Sequence, residues 1–220
     1  MTRATSSIAV LAAALATFGS ADKGAAEGFA GLSVGAFVEH AWNGISFAEQ
    51  MVAPPPPPPE EFGSGNLNGF GAGLLIGYDV MVSTNLLVGV VADVAVGDWE
   101  ADYNVSPTLV GYYDVTYAGT IRGRIGYLFT PAMMGYVTGG YALANVRHGG
   151  RQAPTPTSIS YQADGWTFGA GGEMQVGSTT TLFLEYLHTD YSSGEFVLHN
   201  EVHNVDLDSD TVRLGVRFRN

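Results

Sequence analysis

Residues 119–140 read GTIRGRIGYLFTPAMMGYVTGG. Two arginines, Arg122 and Arg124, stand among glycines and apolar residues, a setting that invites a phosphate-loop reading. Such a loop needs a helix N-terminus that presents backbone N–H groups to the anion. Here the strand-like IGYLF and a Thr-Pro turn follow instead. Read with a period of two, Ile121, Ile125, Tyr127 and Phe129 share one face, and Thr120, Arg122, Arg124 and Gly126 share the other. The stretch is then a hairpin with a tight turn at Thr130–Met133, its charges turned away from its apolar side.

The same alternation runs along the chain from residue 29. In 86–96, Leu86, Val88, Val90, Ala92, Val94 and Val96 lie opposite Leu87, Gly89, Val91, Asp93 and Ala95. In 165–176, Trp166, Phe168, Ala170, Met174 and Val176 lie opposite Thr167, Gly169, Gly171, Glu173 and Gln175. In 212–219, Val212, Leu214, Val216 and Phe218 lie opposite Arg213, Gly215, Arg217 and Arg219. Eight strand-like segments emerge, roughly 29–38, 68–79, 85–97, 112–129, 133–147, 164–176, 180–190 and 209–219. Nothing between them reads as a helix. Eight strands joined up-and-down close into a barrel and remove the exposed edges.

The connections choose the kind of barrel. DVMVST, TPAM and GSTT are short; about 39–67, 98–111, 148–163 and 191–208 are long, and the two kinds alternate. Tight periplasmic turns and long external loops are expected of outer-membrane barrels. A soluble lipocalin-like barrel has the opposite polarity, apolar within and polar without. The reading is an all-β, eight-stranded antiparallel up-and-down transmembrane β-barrel.

The N-terminus agrees. MTR supplies a basic start, IAVLAAALATF an apolar run, and Gly19-Ser20-Ala21 a small-residue cleavage site. This is the order of a secretory signal peptide, so 1–21 is expected to be removed and 22–220 to form the barrel domain. No later stretch is apolar for the ~18 residues that a membrane helix needs, so strands must do the crossing. Nine Lys and Arg against 21 Asp and Glu give a formal charge of −12, which argues against nucleic acid. The absence of cysteine excludes disulfides, thiolate metal sites and cysteine nucleophiles.

Seven motifs in order carry a resemblance: GAGLLIGYDV (71–80), LVGVVADVAVGD (87–98), YAGTIRGRIGYLF (117–129), MGYVTGGYALANV (134–146), DGWTFGAGGEMQV (164–176), FLEYLHTDY (183–191) and VRLGVRF (212–218). Together they resemble the small porin-like, OmpA-type outer-membrane proteins of alphaproteobacteria, which include major surface antigens. The resemblance implies an eight-stranded barrel, with roles in envelope integrity, surface interaction or weak pore activity. It implies outer-membrane lipid and lipopolysaccharide, the barrel-assembly machinery and host or cell-surface molecules as partners. Two features depart from that family. Asn220 stands where it usually ends in an outward Phe, leaving Phe218 as the last aromatic in phase. The other is the proline run in the first long loop. No soluble periplasm-binding domain is expected after the barrel.

In this register Arg122, Arg124, Arg213, Arg217, Asp93, Glu173 and Glu185 point into the lumen. Charges in a narrow, partly dry interior are costly unless paired, so an ion-pair plug is expected. A charged eyelet of a narrow porin is the alternative. Pro54, Pro55, Pro56, Pro57, Pro58 and Pro59 should form a polyproline II stretch of about 19 Å, a spacer or an exposed ligand for an aromatic groove. Glu201, His203, Asp206, Asp208 and Asp210 could gather a divalent cation, but their spacing matches no calcium loop, and a solvated acidic loop is the better reading. Trp42, Trp99, Tyr103, Tyr112, Tyr113, Tyr117, Tyr127, Phe129, Tyr136, Trp166, Tyr186 and Tyr191 supply candidates for two interfacial girdles. A lipid A-modifying enzyme would need an activated Ser–His pair, for which His188 with Ser192 or Ser193 is the candidate. No catalytic residue, cofactor or metal is expected.

Overall fold

A computed structural model of the chain describes residues 28–51, 60–106, 109–151, 157–198 and 201–219. The signal-peptide residues 1–21, the run Pro54–Pro59 and Asn220 lie outside the described residues. The strands are β1 (Gly31–Met51), β2 (Glu60–Met81), β3 (Leu86–Gly97), β4 (Trp99–Ser106), β5 (Leu109–Thr130), β6 (Met133–Arg151), β7 (Thr157–Gln175), β8 (Thr180–Leu198) and β9 (Glu201–Arg219). Among the described residues there is no helix.

Every pairing is antiparallel. The last strand returns to the first, with Ser33 opposite Arg219 and Phe37 opposite Gly215. β3 and β4 occupy one place in the wall. β3 bridges β2 and β5, and after a break at Asp98 β4 continues along β5. Nine strands therefore make eight staves, and through β3 the sheet closes on itself, while no pairing joins β4 to β2 among the described residues.

Alternation decides which way each side chain points. Leu74, Ile76, Val94, Ile125, Val137, Leu184 and Leu214 are exposed on the outer face. Their neighbours along the strands, Leu75, Asp93, Arg124, Tyr136, Glu185 and Arg213, are buried within. Inward glycines make room for the large ones. A Cβ on Gly73 would stand 2.3 Å from Phe37 Cζ, and one on Gly171 would stand 2.5 Å from the Tyr136 hydroxyl. At the start of β1, Gly31 has φ of 101°, in the left-handed region that favours glycine.

The short turns are as expected. Val82–Asn85, Pro131–Ala132 and Val176–Thr179 separate successive strands, and Val176 N–H donates to the Thr180 carbonyl at 2.9 Å. The four long connections are not. Strand pairing runs on through most of 39–67, 98–111, 148–163 and 191–208, and several strands reach 19–22 residues. About 9–11 residues suffice to cross a membrane, so the sheet continues well past its apolar band. The cause is visible in the residues: ISFAEQM, TSISYQ and EFVLHNEVHNV keep the β-branched, aromatic and alternating character of strands. Proline cannot donate to a ladder, and Pro131 lies in the short turn between β5 and β6.

The charged lumen as candidate functional site

Period two brings all seven sequence-derived charges to one interior, where each is buried. They form two tiers. Nearer the short turns, Arg124 makes a bidentate pair with Asp79, through Nε at 2.7 Å and NH2 at 2.5 Å, and reaches Glu173 through NH1 at 2.6 Å. Glu173 also accepts from Arg219 NH2 at 2.7 Å. Arg217 Nε stands 3.3 Å from Glu173 Oε1 without hydrogen-bond geometry, and its NH1 reaches the Ser33 hydroxyl at 3.4 Å. Arg219 NH1 donates to Thr181 Oγ1 at 2.9 Å.

One inward position further along, Arg122 joins Asp93 at 2.8 Å and Glu185 at 2.7 Å. Arg213 joins Glu39 at 2.6 Å and Asp93 at 3.1 Å. Thr120 couples the tier internally: its hydroxyl donates to Asp93 Oδ2 at 2.6 Å and accepts from Arg122 Nε at 2.9 Å. Aromatic rings line the guanidinium groups. Arg213 lies 4.6 Å from the Phe37 ring centroid, Arg124 5.1 Å from Tyr136 and Arg217 5.5 Å from Phe183. Tyr136 links the tiers, since its hydroxyl donates to Glu185 Oε1 at 3.3 Å.

Three charged members escaped the sequence reading: Glu39, Asp79 and Arg219. Glu39 sits one residue past the expected end of the first strand, and Asp79 sits at the end of the second. The alternation already puts Arg219 on the face of Arg213 and Arg217, and the lumen set simply stops at Arg217. With these three, the buried charges among the described residues are five arginines (122, 124, 213, 217 and 219) and five carboxylates (Glu39, Asp79, Asp93, Glu173 and Glu185). Above the second tier, Trp99, Thr120, Thr189, Tyr191, Thr211 and Arg213 help to line a cavity of about 30 Å³, space for about two waters.

The aromatic candidates divide. Trp42, Tyr127, Phe129, Trp166 and Tyr186 are exposed on the outer face, and Tyr117 is half-buried. Trp99, Tyr136 and Tyr191 are buried in the lumen and belong to no girdle: inward glycines at 69, 71 and 97 leave the space that the Trp99 ring fills, and Gly171 does so for Tyr136. The side chains of Tyr103, Tyr112 and Tyr113 lie outside the described ones.

His188 faces outward, with Nδ1 2.8 Å from Asp210 Oδ1, and Tyr186 donates to the same oxygen at 2.6 Å. Asp210 lies one outward position above the apolar run Val212–Phe218, and the Tyr186 and His188 contacts hold its carboxyl below the usual range. The side chains of Ser192 and Ser193 are not among those described. Ser192 and His188 lie on the same strand, β8. Of the acidic group 201–210, Asp208 and Asp210 have described side chains, and no metal-holding cluster of three appears among the described residues.

Comparison with known proteins places this geometry. Residues 11–219 match the family described as outer membrane protein beta-barrel domain. The 31 kDa outer-membrane immunogenic protein of Brucella melitensis is 30% identical over 162 residues, covering 69% of this chain and 66% of that one. The chain thus spans just under two thirds of that relative's length. The 22 kDa outer membrane protein of Rhizobium leguminosarum is 34% identical over 99 residues, covering 44% of each chain. The crystal structure of Neisserial surface protein A overlaps 84% of this chain and 97% of its own, at 14% identity and a TM-score of 0.44, too loose an overlap to carry function.

Proposed function

This chain belongs to the outer-membrane protein β-barrel family, and from that premise we propose that it serves the envelope as a sealed, non-catalytic barrel that acts outward through its external sheet. It is a protein of the outer membrane of a Gram-negative bacterium. The short turns Val82–Asn85, Pro131–Ala132 and Val176–Thr179 then face the periplasm, and the extended ends of the strands stand outside.

The observation that carries the reading is the neutral lumen. Five arginines and five carboxylates cross-link staves on every side: Arg122 ties β5 to β3 and β8, Arg124 ties β5 to β2 and β7, and Arg213 ties β9 to β1 and β3. A solute would have to break several buried pairs at once. Breaking one such pair by removing a partner typically costs about 3–5 kcal/mol. The same network holds the cylinder round, which suits a load-bearing envelope element.

The test is liposome swelling with small sugars. Vesicles carrying the protein should swell no faster than protein-free ones; rapid swelling would make it a narrow porin. The proposed barrel performs no hydrolase chemistry. Lipid A from cells with and without the protein should have one mass spectrum, and a lost or gained acyl chain would overturn that part.

A further inference from the structure

Outside the apolar band the wall divides. β2 and β3 pair as far as Gly71 and Gly97, and β4, which takes over the place of β3, pairs with β5 alone. Across that seam Asp98 N–H donates to the Phe70 carbonyl at 3.0 Å, and among the described residues no strand pairing lies beyond it. A second seam stands on the far side. β7 and β8 pair as far as Gly165 and Tyr191, whereas 157–164 of β7 stay with β6 and 194–198 of β8 stay with β9. The external sheet is thus two four-stranded halves, β8–β9–β1–β2 and β4–β5–β6–β7.

The roots of the two seams are alike. A Cβ on Gly69 would collide with the Asp98 carbonyl, and one on Gly165 with that of Asp190, so glycine lets the walls meet there. An inward aromatic is buried at each root, Trp99 at the start of β4 and Tyr191 at the last β7–β8 pair. Beyond the roots the free edges carry one sign of charge. Residues 60–69 of β2, 99–106 of β4, 157–164 of β7 and 192–198 of β8 include Glu60, Glu61, Glu100, Asp102, Asp164 and Glu195, and no Lys or Arg. Four of these six acids belong to the β2–β4 seam, with Asp98 at its root. Like charges facing across strands oppose pairing, which gives this seam a physical reason to stay unzipped. An unpaired edge presents a row of N–H and C=O groups that can template another strand. Natural edges are commonly blunted by lysine or proline, and neither occurs in 60–69 or 99–106.

We propose that the β2–β4 seam binds an extended, basic segment of another protein, which joins the external sheet there as an added strand. Main-chain hydrogen bonds to the free edge supply the affinity, as in other cases of strand addition. The acids flanking the seam select Lys or Arg in the incoming strand and reject acidic segments. A second copy of this chain does not fit, because its own free edges carry the same sign of charge. The β7–β8 seam, with Asp164 and Glu195 alone, attracts such a strand less. The assignment rests on the outward role proposed above for the external sheet, and not on whether the lumen conducts.

The experiment is fluorescence anisotropy of a labelled peptide that alternates Lys with Thr, titrated with the full chain in lipid nanodiscs. It should bind about tenfold more tightly than the same peptide with Glu for Lys. Methylating alternate backbone nitrogens removes donors and leaves the charge, and one of the two alternate sets should weaken binding severalfold. Glu100→Lys combined with Asp102→Lys should reverse the preference between the Lys and Glu peptides, whereas Glu195→Lys at the far seam should leave it unchanged. A gel-mobility shift on heating verifies that each variant is folded. Equal binding of the two peptides, or affinity unmoved by either methylated set, would overturn the proposal, the latter in favour of charge attraction alone. A loss with Glu195→Lys as large as that with the β4 pair would overturn the choice of seam. Binding by the purified protein that intact cells expressing it lack would instead break the outward placement of the sheet and leave the seam standing.

Discussion

Inside and outside this barrel the same acidic residues do opposite things. Within, five carboxylates meet five arginines and the charge cancels. Among the described side chains outside the lumen the balance is lost: Asp98, Asp114, Asp164, Asp190, Asp208 and Asp210 stand against Arg147. Some outer acids even face each other, as Asp190 and Asp208 do across β8 and β9. Interior charge is placed for the fold and must be matched. Exterior charge sits in water and can be left unmatched.

The comparison breaks if the two sets respond alike to substitution. Arg124→Met removes both hydrogen bonds of Asp79, leaving it the 3.6 Å contact with Arg219, and takes one arginine from Glu173; it should cost about 3–5 kcal/mol in urea unfolding from lipid vesicles. A loss under ~1 kcal/mol would mean that water or a rearranged partner relieves them. Gly171→Ala puts a methyl group against Tyr136, the residue that links the tiers, and should cost about 1–3 kcal/mol by the same measurement.

Outside, the effects should shrink or change sign. Asp190→Asn removes a like-charge pair and should stabilise by a few tenths of a kcal/mol, roughly the size of a cross-strand pair. Asp210 sharpens the contrast by pH. Its carboxyl is held below its ordinary value, first by Tyr186 and then by His188. A depressed carboxylate contributes stability that is present above the unfolded pKa and lost as pH falls through the folded one. The Tyr186–Asp210–His188 contact should therefore persist at pH 5 and dissolve below the usual carboxylate range, as carboxyl NMR shifts would report. Because Asp210 is exposed, overall stability should barely change across that titration.

Much of this was legible in the sequence. In Val212–Phe218 and Trp166–Val176 alternation alone told lipid face from lumen, because one wrong step would turn an arginine to lipid. The tiers were half legible. Arg122, Arg124, Arg213 and Arg217 announced themselves by phase, whereas Glu39 and Asp79 sit at strand ends where turn residues and strand residues look alike. Trp99 and Tyr191 were misread because an aromatic near a strand end suits a girdle as well as a lumen. What decides is the glycine across the sheet, such as Gly71 beside Trp99. That is a contact between strands, and no period along one strand reveals it. The long strand extensions were read as loops, although ISFAEQM and TSISYQ keep the β-branched, aromatic and alternating character of strands.

The central claim is that the ten buried charges seal the lumen, and single-channel recording in planar bilayers tests it most directly. The purified, heat-modifiable protein should give a flat baseline in 1 M salt, roughly the condition in which the Debye length falls to ~3 Å and surface charge ceases to matter. A stable, reproducible conductance step from the wild-type protein would contradict the seal and make the two tiers a gate.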